Sequence, residues 1–254
     1  MSSRDDAVEH AVKLLRGARH AVALTGAGLS TESGIPDFRS PGGVWERFRP
    51  VEYAEFLANH AARKEHWRYK RATVPAMLAA EPNAAHYALA RLEAAGRLQA
   101  VITQNIDALH QRAGSRRVLE LHGTNLEAVC LRCAARSPIR DALAVLDAGE
   151  EVPKCARCGG WLKPATVSFG QALPVDVLGE ATELAQRSDA LLALGSSLLV
   201  TPAASLAGLA KQSGGALIII NLTETPYDRV ADAVVHERVG PALEAITAAV
   251  LGPE

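Results

Sequence analysis

Cys130, Cys133, Cys155 and Cys158 are the only cysteines among the 254 residues. They stand as two Cys-x-x-Cys pairs with residues 134–154 between them, and Gly159-Gly160 follows the second pair. Four thiolates in two close pairs suit a closed tetrahedral Zn²⁺ site, structural because no ligand position is left for water. Two disulfides are a competing arrangement, disfavoured in a chain without secretory features. A nucleic-acid zinc ribbon is another, but Asp141, Asp147, Glu150 and Glu151 and the lack of an aromatic cluster count against it.

Other reactive or ligand-binding residues fall just past apolar runs. Gly26, Ala27, Gly28 and Ser30 follow the run at residues 20–24. Small residues there let a backbone approach a ligand, and a helix opening next aims its N–H groups at phosphate. The full dinucleotide fingerprint is not met. Thr31 stands where its third glycine belongs, and no strand with an acidic end follows about 20 residues on. Gly195, Ser196 and Ser197 repeat the small-residue turn after Ala190–Leu194, with hydroxyls as further phosphate donors. Gln104, Asn105 and Asp107 follow LQAVIT; Asn105 and Asp107 either contact a ligand or cap a helix over 108–113. His122 ends the run at 118–121 with Gly123 beside it, and histidine exchanges protons near neutrality. Asn221 closes GALIII, where a short polar side chain suits a ribose hydroxyl.

The elements that must position these residues alternate. Strands are expected near 20–25, 98–103, 118–121, 190–194, 216–220 and 233–236. An amphipathic helix carrying Ala7, Val8, Ala11, Val12 and Leu15 ends near Gly17. Further helices are expected over 84–95, 175–186 and 240–250, and one opens near Pro202. This order predicts an α/β fold, a Rossmann-like parallel sheet with helices on both faces. Residues 40–80 predict two or three short helices broken at Pro50 and Pro75, and a loop at Gly42-Gly43. The expected division is a nucleotide-type unit of residues 1–33, 84–123 and 164–254, and a smaller zinc-binding and helical lobe of 34–83 and 124–163. A cleft between them is the natural ligand site.

Hydrophobic residues make up 48% but aromatics only 4%, which predicts a core of Ala, Leu and Val. The formal net charge of −1 argues against nucleic-acid binding through a basic surface. There is no run of 18 apolar residues, so no membrane span is expected. Early acids and no apolar leader core in residues 1–20 make the cytoplasm the expected location.

Residues 26–40, GAGLSTESGIPDFRS, are followed in order by TQNID at 103–107, LHG at 121–123 and GSSL at 195–198. Together they resemble the sirtuins, the NAD-dependent protein-lysine deacylases, over about residues 10–245. The resemblance implies cleavage of the nicotinamide–ribose bond and transfer of a lysine acyl group to ADP-ribose. The absence of a ribose-reading acid already fits hydride transfer poorly. By the same resemblance His122 is the general base. Asn105 and Asp107 with Ile35 line a nicotinamide pocket, and Pro36, Asp37, Phe38 and Arg39 complete its loop, Phe38 shielding the reacting carbon and Arg39 anchoring loop and ribose. Gln104 holds a ribose hydroxyl. Gly26, Ala27, Gly28, Ser30, Gly195, Ser196 and Ser197 surround the phosphates. Asn221, Leu222, Asp232 and Ala233 serve the adenosine end. Val167, Ser168, Phe169, Gly170 and Leu198 meet the acylated peptide partner, with Gln171 where the family often has an acid.

NAD and zinc are thus the implied cofactors; neither membrane nor nucleic acid is an implied partner. In relatives that prefer succinyl or malonyl groups, a Tyr and an Arg stand three residues apart. Trp67 and Lys70 align with them, so acetyl and other uncharged groups are expected, and Trp67→Tyr with Lys70→Arg is expected to raise desuccinylation. Two other readings remain: a protein ADP-ribosyltransferase, against which His122 argues, and a non-catalytic NAD-binding regulator, which needs no positioned base.

Overall fold

The structure is a computed structural model that describes residues 4–37 and 43–252. Phe38 and Arg39, and Gly42 of the expected Gly-Gly loop, lie outside the described residues. The strands are β1 (Ala21–Thr25), β2 (Ala100–Thr103), β3 (Val118–Glu120), β4 (Gly123–Cys130), β5 (Arg136–Pro138), β6 (Leu162–Thr166), β7 (Ala190–Leu194), β8 (Ala216–Ile220) and β9 (Ala233–Val235). The helices are α1 (Arg4–Gly17), α2 (Val44–Arg47), α3 (Tyr53–Ala58), α4 (His60–Ala79), α5 (Ala84–Ala94), α6 (Leu109–Arg112), α7 (Ile139–Asp147), α8 (Val175–Arg187), α9 (Ser205–Gln212) and α10 (Val239–Leu251), with a 3-10 turn over Ala27–Ser33.

Six strands form one sheet in the order β3-β2-β1-β7-β8-β9, and every pairing is parallel. All five residues of β1 and of β7 are buried, as near-continuous apolar runs demand when helices cover both faces. One face packs α1, α5 and α10 through residues such as Leu15, Leu89 and Leu243. The other packs α8 and α9 through Ala181, Leu206 and Ala207. The chain runs outward from β1 to β3, then returns to β7 on the other side of β1. The order therefore reverses between β1 and β7, and the crevice past their carboxyl ends is where such sheets bind ligands.

The second sheet is antiparallel, in the order β5-β4-β6, with Gly123 opposite Thr166 and Cys130 opposite Leu162. Sequence reading sees only an insert here, because its strands are short and interrupted by the cysteine knuckles. A third core joins this sheet to the helices that follow the first loop: Phe56, Ala62, Trp67 and Val74 pack with Ala128, Ile139, Leu146 and Leu162.

Two expectations need correction. Pro75 does not end a helix but lies inside α4. Burial of Trp67, Lys70 and Val74 along one face carries the helix through the missing N–H. The helix expected to open near Pro202 begins at Ser205, after a turn in which Ala204 N–H donates to Val200 O.

Candidate active site

The turns that follow β1 and β7 are locked into each other. Gly26 N–H donates to Leu194 O (3.0 Å) and Gly28 N–H to Gly195 O (2.8 Å). Gly195 has φ of +60°, and a Cβ there would lie 2.2 Å from Leu29 N; one on Gly26 or Gly28 would lie 2.8 or 2.9 Å from Gly195 O. These glycines are thus required first by the approach of two loops, and only then by any ligand. The N–H of Ala27, which opens the 3-10 turn, has no intra-turn acceptor, as at any helix start.

A cavity of about 660 Å³ opens over this junction. Gly26, Ala27, Gly28 and Asp37 line one wall, and Gly195, Ser196, Ser197 and Asn221 the next. Gln104, Asn105 and His122 form its floor, and Val167, Ser168, Phe169 and Gly170 its rim. Six sequence blocks, most of them far apart in the chain, therefore meet in one space. Ser30, Ile35, Pro36, Asp107, Leu198, Leu222, Asp232 and Ala233 do not line it.

Several of these act from behind. Asn105 is 7% exposed, and its Nδ2 donates to Gly26 O and Ser30 Oγ, both at 3.1 Å. Ser30 Oγ donates to Asp107 Oδ2 (2.7 Å), while Asp107 Oδ1 accepts from Leu109 N–H (3.0 Å). Asp107 thus caps the chain at Leu109 with one oxygen and holds Ser30, the partner of Asn105, with the other. Burial raises the Asp107 pKa, and these donors oppose the rise. Ile35 N–H donates to Ser30 O, which fastens the loop to the turn. Leu198 is buried with φ of +53°, its N–H donating to Ser196 Oγ. Asp232 is committed elsewhere, to Lys211 and the Leu217 N–H, and Ala233 is buried in β9; Leu222 is exposed beside the cavity wall.

His122 sits at the hinge between β3 and β4. Its Nδ1 faces Gln104 O at 3.0 Å; a carbonyl only accepts, so Nδ1 carries the proton and Nε2 keeps its lone pair. Burial pushes the imidazole below its ordinary pKa, partly offset by the Gln104 carbonyl. A neutral ring with one fixed N–H and one free lone pair is a general base ready at neutral pH. Gln104 Nε2 donates to Ser196 Oγ (3.0 Å), tying the ends of β2 and β7. On the rim, Tyr53 N–H donates to Phe169 O (2.8 Å) and Gln171 Oε1 accepts from Ser168 N–H (3.2 Å).

The far wall was not read from the sequence as such. His66, Tyr69 and Lys70 of α4 line the cavity. Trp67 does not: it is fully buried in the third core with Nε1 donating to Leu162 O (3.1 Å), so of the two residues aligned with the acyl-selecting pair only Lys70 meets the cavity. Lys70 is 3% exposed and donates to Asn125 Oδ1 (2.8 Å), with no carboxylate partner among the described residues; burial lowers its pKa to about 7. The available signal was a His and a Lys four apart on an apolar helical stripe.

The four cysteines converge. Every Sγ lies within 4.8 Å of the others, Cys130 and Cys158 at 3.5 Å and Cys133 and Cys155 at 3.8 Å, and none is in a disulfide. Four sulfurs at about 2.3 Å from one Zn²⁺ stand about 3.8 Å apart in a tetrahedron. A Cβ on Gly160 would lie 2.9 Å from Cys130 Sγ, so only glycine fits this knuckle. The donor set suits zinc.

Known proteins agree with this arrangement. The family model described as Sir2 family matches residues 26–202. The "NAD-dependent protein deacetylase" of Thermodesulfovibrio yellowstonii is 43% identical over 244 residues, 96% of this chain and 95% of that protein. The "NAD-dependent protein deacetylase 2" of Streptomyces coelicolor is 48% identical over 88% of this chain and 94% of that protein. Among solved structures, a Sir2–p53 peptide–NAD⁺ complex superposes with a TM-score of 0.86 at 42% identity, covering 92% of this chain and 95% of that one. A Sir2 variant with deacetylated p53 peptide and 3′-O-acetyl ADP-ribose superposes with a TM-score of 0.89 at 41% identity, covering 94% and 96%.

Proposed function

The chain belongs to the Sir2 family, and from that premise we propose that it is an NAD-dependent protein-lysine deacetylase whose products are free lysine, nicotinamide and O-acetyl-ADP-ribose. One observation carries the reading: a neutral histidine with a fixed tautomer, His122, faces a cavity walled by two small-residue turns and by the backbone edge 167–170.

NAD, when bound, supplies a ribose carbon made electrophilic by loss of nicotinamide. The residues do the rest. Ala27, Ser196 and Ser197 receive the phosphates, with Gly26, Gly28 and Gly195 holding the turns together. Asn105, pinned by Gly26 O and by Ser30, which Asp107 holds in turn, lines the nicotinamide end with Ile35, Pro36 and Asp37 above it; Phe38 and Arg39 are assigned to the same loop. Gln104 and Asn221 hold ribose hydroxyls, and Leu222 flanks the adenosine end; Asp232 and Ala233 support that end through β8 and β9. Val167, Ser168, Phe169 and Gly170 add the peptide as a strand, recognising it mainly by its backbone, with Leu198 packed behind Ser196. His122 Nε2 takes a proton from a ribose hydroxyl and makes it a nucleophile toward the acyl group.

Zinc is assigned to Cys130, Cys133, Cys155 and Cys158 as a structural ion. The division into a unit of 1–33, 84–123 and 164–254 and a lobe of 34–83 and 124–163 is supported by the core that α3 and α4 share with the cysteine-bearing segment. No helix among the described residues is long and apolar enough to cross a membrane. Four free thiols arranged for a metal suit a reducing compartment, which supports residence in the cytoplasm.

The test is an incubation with NAD and an acetyl-lysine peptide, read by mass spectrometry. The peptide is expected to lose its acetyl group only with NAD present, and His122→Ala to cut the rate by about 10²–10⁴-fold. Nicotinamide release with the peptide still acetylated, or ADP-ribose added to it, overturns the reaction assignment.

A further inference from the structure

Behind the candidate site, two fully buried histidines face each other: His86 of α5 and His110 of α6, with ring centroids 4.9 Å apart. Each has one nitrogen engaged and one without a partner; the unpartnered atoms are His86 Nε2 and His110 Nδ1. Their engaged sides fix the tautomers. His86 Nδ1 accepts from the Asn83 backbone N–H (3.2 Å), so its proton is on Nε2. Thr25 gives its hydroxyl proton to Thr103 Oγ1 (2.8 Å) and therefore accepts from His110 Nε2 (2.9 Å). His110 thus carries its proton on Nε2 and leaves Nδ1 bare. The two orphans are complementary: a donor on His86 and an acceptor on His110.

We propose that His86 and His110 are positioning residues for NAD, paired from Nε2–H to Nδ1 across one enclosed water, in a hydrogen-bond chain that ends on the site. At one end Asn83 Nδ2 holds Leu29 O (2.8 Å) and Ser33 Oγ (3.0 Å), the backbone and side chain of the 3-10 turn. At the other, Thr103 Oγ1 accepts the Asn105 backbone N–H (3.0 Å). The chain therefore sets the spacing between the turn and Asn105, two sides of the nicotinamide end. It rests on the assignment of Asn105 to that end. A buried N–H and a buried lone pair left apart both incur a desolvation penalty, which pairing removes. Burial keeps both rings neutral, lowering His86 to about 4 and His110 to about 3.

Two measurements test this. Ring ¹⁵N NMR of the wild-type protein at neutral pH is expected to find both histidines protonated on Nε2 only; a His110 protonated on Nδ1 overturns the proposal whatever reaction the protein performs. In steady-state kinetics, His110→Leu is expected to raise KM for NAD about tenfold, the loss of one buried hydrogen bond, with kcat changed far less. His110→Gln, whose amide still donates to Thr25, is expected to restore most of that loss. Equal effects of Leu and Gln, or lost stability with KM unchanged, reduce the pair to packing and overturn the proposal. A wild-type protein inactive on acetyl-lysine peptide would instead reject the deacetylase reading and leave the NMR test standing.

Discussion

His122 and Lys70 show how much a single side chain depends on what faces it. Each is largely buried, and burial lowers both pKa values. For His122 this secures the neutral base. For Lys70, brought to about 7 with Asn125 Oδ1 and the Tyr69 ring as partners, it produces a group that changes charge in the working range. Below its pKa the ammonium favours an acyl chain ending in a carboxylate; above it the neutral amine offers no such gain. The ratio of desuccinylation to deacetylation is therefore expected to rise as pH falls from about 8 to about 6, with His122 titration common to both rates. Lys70→Met is expected to flatten the ratio. A wild-type ratio independent of pH removes Lys70 from acyl selection. Trp67, named beside Lys70 on sequence spacing, is instead a core residue, and truncation to Ala is expected to destabilise by about 3–5 kcal/mol in urea unfolding.

Elements matter here chiefly through their ends. The turns after β1 and β7 interlock so tightly that each glycine serves the other loop. Gly195→Ala adds a Cβ at a left-handed φ and against Leu29 N, a combined cost on the order of 2–4 kcal/mol. The expected result is a lower denaturation midpoint and at least tenfold weaker NAD binding by calorimetry, because Ala27 and Ser196 move apart. Unchanged affinity would mean that the turns do not form the phosphate site. In α4 the same logic runs through the helix face. Trp67 and Val74 bury against the second sheet, and that orientation sends His66 and Lys70 to the cavity.

At the scale of the molecule, the cysteine cluster and His122 lie at opposite ends of β4, an eight-residue strand of roughly 26 Å. They are nonetheless mechanically linked, since Cys130 and Cys155 belong to the core that includes Trp67 of the cavity-lining helix α4. Stripping the metal with a chelator is expected to lower the thermal midpoint and abolish deacetylation, with both restored by Zn²⁺; full activity of metal-free protein would confine the ion to its own knuckle. Much of this molecule was legible in its residues. The apolar runs located all six parallel strands, because strands buried on both faces leave a continuous signal. The cysteine spacing, the glycine turns and His122 were equally visible, since each is a local pattern. What tertiary structure alone decided was which distant residues share a space: that Pro75 stays within a helix, that Lys70 rather than Trp67 meets the cavity, that Asp232 serves Lys211, and that His86 meets His110. Those outcomes depend on helix rotation and on pairings across long chain separations, and burial energy of the assembled core, which no local segment contains, settles both.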